Sequence, residues 1–319
     1  MKKIIVMLML IFSSALFLTA NGNKEAIKDL IPIKGLLETF RILHITDSHV
    51  SVLSNNEKEY HSYSSRMDNA YKTVKHYKTK TKTTSSKMFL DLLEVAKKEN
   101  VDLIVLTGDI VNNPSQSSTS FIHESLKSTD IPYIYIAGNH DWHYEGMQGS
   151  AESLRQIWIE NSLLPLYGGK NALYSSLVIG GINFVAIDNS TYQVNEDQLQ
   201  FYKTQLKRNF PIVLLLHIPL YLGKEAKWKG ITVCGNPNWG WDMDRNYKIE
   251  RRERWSKTGN LASTSEFLET VKKSSNLITV LAGHTHKARV GSISEFVNQY
   301  VTGCSRYGYY RLLRFEPLL

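Results

Sequence analysis

The chain has 319 residues, 42 % of them hydrophobic, 21 % charged and 11 % aromatic, which is enough apolar material for one large core and excludes a disordered or fibrous protein. Its formal charge of +8 suits attraction of anionic substrates, though solubility alone would account for it, and is not the balance of a nucleic-acid binder. The only cysteines, Cys234 and Cys304, are too few for a disulfide framework and wrongly spaced for a zinc knuckle; a single bridge between them stays open.

Met1-Lys2-Lys3 is a basic head, Ile4 through Phe17 is apolar apart from Ser13 and Ser14, and Thr19-Ala20 offers a small-residue cleavage site. Residues 1–20 therefore read as an export signal, and the mature chain is expected to be secreted or periplasmic. The alternative is an uncleaved anchor that tethers the same domain outside. Loss of Lys2 and Lys3 lowers the formal charge from +8 to about +6. No cysteine follows the apolar run, which argues against a lipoprotein, and no transmembrane segment is expected in the mature chain.

Residues 21–34 read as a linker and 35–319 as one domain. Phe40 to Ile45 is strand-like and delivers Asp47-Ser48-His49. A lysine-rich stretch follows in which Met67, Ala70, Tyr71, Val74 and Tyr77 fall at helical spacing. Lys87 to Asn100 reads as an amphipathic helix, Val101 to Leu106 as a strand bearing Gly108-Asp109, and Phe121 to Lys127 as a helix. The apolar run Ile131 to Ala137 ends in Gly138-Asn139-His140-Asp141. This alternation argues for parallel βαβ units.

After a helix near Ala151 to Ile159, two strand-like runs, Ala172 to Val178 and Ile182 to Ile187, flank Gly180-Gly181 as a hairpin. Asn195 to Leu206 is a helix opened by Asn195, Glu196 and Asp197. Phe210 to Leu216 is a strand ending at His217. Residues 221–258 carry four of the six tryptophans and many basic residues, and read as an insertion lobe. That lobe is either a small aromatic core or a cap that grips substrate. Ser263-Thr264-Ser265-Glu266 has capping-box form, Leu277 to Leu281 is a strand before Gly283-His284-Thr285-His286, and the tail is β-rich.

Five apolar runs thus end in oxygen or nitrogen donors, which suit Mn, Zn or Fe rather than a thiolate-loving metal. Asp47 and His49, like His284 and His286, would face one side of an extended segment. Independent structural residues would rarely fall at five strand ends.

In their order and rough spacing, Asp47-x-His49, Gly108-Asp109, Gly138-Asn139-His140-Asp141, His217 and Gly283-His284-x-His286 resemble the calcineurin-like metallophosphoesterase superfamily over about residues 40 to 290. The resemblance implies a four-layer α-β-β-α sandwich of two mixed sheets and a site for two divalent metal ions. Asp47, His49 and His286 would hold the first ion, Asn139, His217 and His284 the second, and Asp109 would bridge them. A hydroxide between the ions would be the nucleophile. His140 would protonate the leaving oxygen or stabilise charge there, with Asp141 orienting its ring.

Asn112 occupies the position at which purple acid phosphatases of this superfamily carry a metal-binding tyrosine, so a purple iron centre is not expected and Mn, Zn or Fe²⁺ remain open. The expected activity is hydrolysis of phosphate esters, diesters first and monoesters as the alternative, on a small molecule, nucleotide or phospholipid head group. A non-catalytic metal-binding scaffold is the remaining reading, and no stable nucleic-acid complex is expected. His44 reads as a core histidine, His143 and Tyr144 as candidates for the pocket wall, and Asn189-Ser190-Thr191 as a glycosylation sequon in a eukaryotic secretory host.

Overall fold

Strands that are apolar on both faces need cover on both, and the chain meets this need with two stacked sheets flanked by helices. The computed structural model describes residues 26–318 apart from Leu53, Lys72, 223–245 and 253–258. The first elements are β1 (Ala26–Ile33), β2 (Phe40–Ile45), α1 (His61–Tyr71), β3 (Thr73–Lys75), β4 (Lys82–Thr84) and α2 (Ser85–Lys98). They are followed by β5 (Leu103–Thr107), α3 (Gln116–Lys127), β6 (Tyr133–Ile136), α4 (Ala151–Trp158) and α5 (Leu164–Tyr167). Next come β7 (Tyr174–Ile179), β8 (Ile182–Ile187), α6 (Glu196–Leu206), β9 (Ile212–Leu215) and α7 (Asn246–Ile249). The chain closes with α8 (Ala262–Lys273), β10 (Leu277–Ala282), β11 (Arg289–Ser292), β12 (Asn298–Val301) and β13 (Tyr310–Pro317).

One sheet has the order β1-β13-β2-β5-β6 and the other β11-β12-β10-β9-β8-β7. The strands β2, β5 and β6 are mutually parallel, as are β8, β9, β10 and β12. Successive side chains alternate between two environments. Ile42, Leu103, Val105, Ile134 and Ile136 meet Phe184, Ala186, Val213, Leu215 and Leu281 between the sheets. Their neighbours Leu43, Ile45, Ile104, Leu106, Val185, Ile187 and Leu214 share a second core with Phe89, Leu93, Ile122, Leu199, Tyr202 and Phe267 of the helices. The result is the expected four-layer α-β-β-α sandwich of mixed sheets.

Local sequence explains most boundaries. The capping box of α6 forms between Asn195 and Gln198, Thr84 caps α2 and Ser115 caps α3. Gly180 and Gly181 both take positive φ, as a two-residue hairpin between β7 and β8 requires.

Three expectations are corrected. Residues 26–33 are not linker but an edge strand parallel to β13, tied by an ion pair between Asp29 and Arg311. Ile31 and Ile33 are buried while Leu30 and Pro32 are exposed, because an edge strand need cover only one face. The helical spacing through Tyr77 breaks after Tyr71, and Val74 instead sits in the hairpin of β3 and β4. The capping box proposed for α8 does not form: the Ser263 hydroxyl donates to the Val194 carbonyl at 2.7 Å, and Leu261 stands at the cap. The tryptophans and most basic residues of the 221–258 lobe lie outside the described residues, as do residues 1–20. Among the described residues no helix is long and apolar enough to cross a membrane.

His44 is a fully buried residue of β2 whose Nε2 is 2.6 Å from the Thr107 hydroxyl and whose Nδ1 is 2.8 Å from that of Thr302. Burial, then the Arg311 guanidinium, push its pKa from 6.5 to about 3. The folded chain thus favours the neutral ring, so its contribution to stability is complete above pH 6.5 and is lost as pH falls from 6.5 toward 3. Urea unfolding of the wild type should show a loss of up to about 1.4 kcal/mol per pH unit in that window, and His44→Gln should flatten it.

Candidate metal centre

The donors lie just past the carboxyl ends of parallel strands, where an open α/β sheet presents its loops to ligands. Asp47 and His49 follow β2, Asp109 follows β5, Asn139 and His140 follow β6, His217 follows β9, and His284 and His286 follow β10. The expected extended geometry of the Asp-x-His and His-x-His pairs is not what brings them together. Asp47, His49, Asp109, His284 and His286 all take left-handed backbone, with φ between 43° and 67°. Such a conformation costs a side-chain-bearing residue about 1–2 kcal/mol, so surrounding packing must impose it. Gly108 and Gly283 are needed for close approach: a Cβ at Gly108 would stand 2.6 Å from His217 Nδ1, and one at Gly283 would collide with the Thr46 hydroxyl.

Two donor clusters result. Asp47, His49, Asp109 and His286 place ligand atoms within 4.8 Å of one another, and so do Asp109, His217 and His284. Asp109 belongs to both, as a bridging carboxylate would. His49 Nε2 is 3.2 Å from His286 Nε2, which is 3.3 Å from Asp47 Oδ1. His217 Nε2 is 3.4 Å from Asp109 Oδ2 and 3.2 Å from His284 Nδ1. The outer nitrogens are spoken for: His217 Nδ1 donates to the Thr107 carbonyl at 2.8 Å, and His284 Nε2 lies 2.9 Å from the Tyr192 hydroxyl. That leaves His217 Nε2 and His284 Nδ1 to face the site as acceptors. Asn139 Oδ1 is buried without a hydrogen-bond partner, which is the state expected of a ligand oxygen. This nitrogen and oxygen set fits two divalent cations of the Mn, Zn or Fe type.

The charges are arranged around Asp109. Burial opposes its ionisation, but His217, His140 and His49 together hold it well below the ordinary carboxylate range. Burial likewise opposes charging of His217, yet Asp109 lifts that ring to about 9. His286 is also raised, through Asp47 and against burial, whereas burial and His140 depress His49. Buried His217 and the more exposed His286 would each exchange that proton for a bound cation.

His140 and Asp141 behave differently from expectation. The His140 amide donates to Asp109 Oδ1 at 2.8 Å, and its ring lies edge-on to that of His49 with centroids 4.6 Å apart. Asp141 does not orient that ring. Its Oδ1 accepts from the Val111 amide at 2.8 Å and its Oδ2 from the Gly138 amide at 2.7 Å, so it braces the turn that carries Asn139 and His140. Burial, then the charge of Asp109, push Asp141 up to about 7. The carboxylate facing His140 Nε2 is Glu250, at 3.7 Å.

Other residues resolve as follows. Asn112 donates to Asp68 Oδ1 at 3.2 Å. Tyr144 packs against Tyr60 and Trp158 in the core, whereas His143 is buried and hydrogen-bonded to the backbone of Glu250. Asn189 is fully buried, which rules out the sequon; its Oδ1 accepts from the amides of His217 and Ile218. Cys304 is a free, buried thiol against the Asp47 carbonyl, and Cys234 lies outside the described residues. Sequence reasoning missed Tyr192, Glu250 and the buttressing role of Asn189. Asn189 closes an apolar strand as the ligands do, whereas Glu250 sits in a charged stretch with no pattern to mark it.

The family model of the calcineurin-like phosphoesterases matches residues 40–288, and the chain belongs to that family. The chain is 25 % identical over 211 residues to a probable cyclic nucleotide phosphodiesterase of Moraxella catarrhalis, a match covering 64 % of this chain and 65 % of the relative. It is 26 % identical over 201 residues to a protein of similar name from Fibrobacter succinogenes, covering 63 % of each. The chain therefore spans less than two thirds of the length of these curated relatives. In fold it is similar to a dimetal phosphatase from Danio rerio, with a TM-score of 0.53 at 12 % identity over 85 % of this chain and 89 % of the other.

If Asp109 joins the two clusters, Asp109→Ala should lower occupancy at both, while Asn139→Ala should lower it at one. Elemental analysis after Mn loading and dialysis should give about two ions per wild-type chain, about one for Asn139→Ala and fewer than one for Asp109→Ala.

Proposed function

We propose that the protein hydrolyses phosphate esters, that diesters are its preferred substrates, and that it works outside the cytoplasm. The observation that carries the reaction type is the pair of donor clusters sharing buried Asp109, with His140 beside them. Bound divalent ions would lower the pKa of a water held between them and neutralise phosphoryl oxygens. The chain supplies the rest. Asp109 sets the spacing of the two clusters, Thr107 and Tyr192 hold the rings of His217 and His284, and Asp141 fixes the turn bearing His140. His140, held beside Asp109 and His49, then has its Nε2 able to give a proton to the leaving oxygen.

The preference for a diester draws support from the relatives described as probable cyclic nucleotide phosphodiesterases. A nucleotide, a phospholipid head group or another small diester would each satisfy the site. Export draws support from the basic, apolar and small-residue order of residues 1–20, and N-terminal sequencing of the mature protein should begin just after Ala20.

With Mn present, kcat/KM for bis(p-nitrophenyl) phosphate should exceed that for p-nitrophenyl phosphate. A monoester preference would replace the diester reading, and no turnover of either would leave the metal-binding scaffold. His140→Ala should cut kcat by about 10²-fold or more while two ions stay bound; an emptied site would instead make His140 a structural support of the metals.

A further inference from the structure

The acid side of the site is incomplete on the loop that carries His140. His140 Nδ1 is buried without a hydrogen-bond partner, and both oxygens of neighbouring Asp141 are committed to backbone amides. The group that does reach the ring enters from elsewhere. Glu250, in the turn after α7, is 5 % exposed and brings Oε1 to 3.7 Å from His140 Nε2. We propose that Glu250 is the positioning residue for His140, so that the short segment around α7, distant in sequence, completes the catalytic constellation. The proposal rests on the reading of His140 as proton donor to the leaving oxygen.

Several contacts make this a built arrangement. Burying a lone carboxylate costs several kcal/mol, and here the Arg252 Nε donates to Glu250 Oε2 at 2.6 Å, leaving Oε1 for the histidine. The backbone of Glu250 is hydrogen-bonded to the buried ring of His143, three residues beyond His140. Next to it, Arg251 donates to the Glu145 carbonyl at 3.1 Å. Glu145 in turn holds Arg66, whose Nε donates to its Oε2 at 2.8 Å. Glu250 is therefore tied by its backbone to the same loop that carries His140. The ring of His140 is otherwise bounded by His49 and Tyr71, with centroids 4.6 and 5.9 Å away. At 3.7 Å the Glu250 carboxylate is an ion-pair neighbour of Nε2 and not its hydrogen-bond acceptor, so it restrains the ring by charge and leaves the Nε2 proton for the leaving oxygen.

The test uses two diesters, one releasing p-nitrophenolate and one releasing an alkoxide. An alkoxide needs a proton from a well-placed donor far more than p-nitrophenolate does. Glu250→Gln should widen the ratio of the two kcat values by about tenfold, with two metal ions still bound and Glu250→Asp recovering part of the loss. In a His140→Ala background, Glu250→Gln should add no further loss, because the group it positions is gone. An equal loss on both diesters, or a full additional loss in that background, would overturn the proposal. Failure of the wild type to hydrolyse either diester would remove the reading of His140 itself, and the proposal with it.

Discussion

A single buried carboxylate, Asp109, is the constraint around which the site is arranged. It is 1 % exposed and shared by two clusters of imidazole and carboxylate donors. An anion in that position is tolerable only if positive charge surrounds it, and His217, His140 and His49 provide the surroundings. Its place follows from topology. β5 lies between β2 and β6 in its sheet, so the residue after β5 falls between the ligands after β2 and those after β6. The glycines at 108 and 138 let the two turns approach until the His140 amide meets the Asp109 carboxylate.

The sandwich supplies the force that holds such a centre. Five donors sit in left-handed backbone that a short peptide would abandon. Each is anchored by an apolar strand packed on both faces, so relaxing one turn would mean shifting a strand between two cores. Hydrogen bonds behind the ligands complete the restraint: Asn189 gathers the amides after β9, Thr107 takes one nitrogen of His217, and the His284 amide donates to Asp47 at 2.9 Å. The site is rigid where the donors converge. The chain between β9 and α8 adds Glu250 and Arg252 to it.

Much of this is legible in the amino-acid sequence. Apolar runs of four to six residues with donors at their ends are a strong pattern, because a parallel strand buried on both faces must be apolar and can carry chemistry only where it stops. The glycine pair between β7 and β8 and the cap of α6 were equally plain, since turn and cap chemistry are local. The elements that were misread are those settled by neighbours. β1 carries Lys28, Asp29 and Pro32 among its apolar residues and is made a strand by its pairing with β13, and the serine and threonine at the start of α8 turn to the Val194 carbonyl instead of capping their own helix.

Residue order by itself determined which strands end in donors, and therefore that the chain has one centre of this chemical kind. Only the tertiary structure decided how the donors face one another, that Asp141 serves the backbone and Glu250 serves His140, and that Asn189 is interior. The physical reason is range. Strand, turn and cap preferences act over a few residues and leave a mark in the sequence, whereas the partner of a buried polar group is set by whichever distant segment packs against it. Glu250 lies 110 positions from His140 in the chain and 3.7 Å from it in the fold.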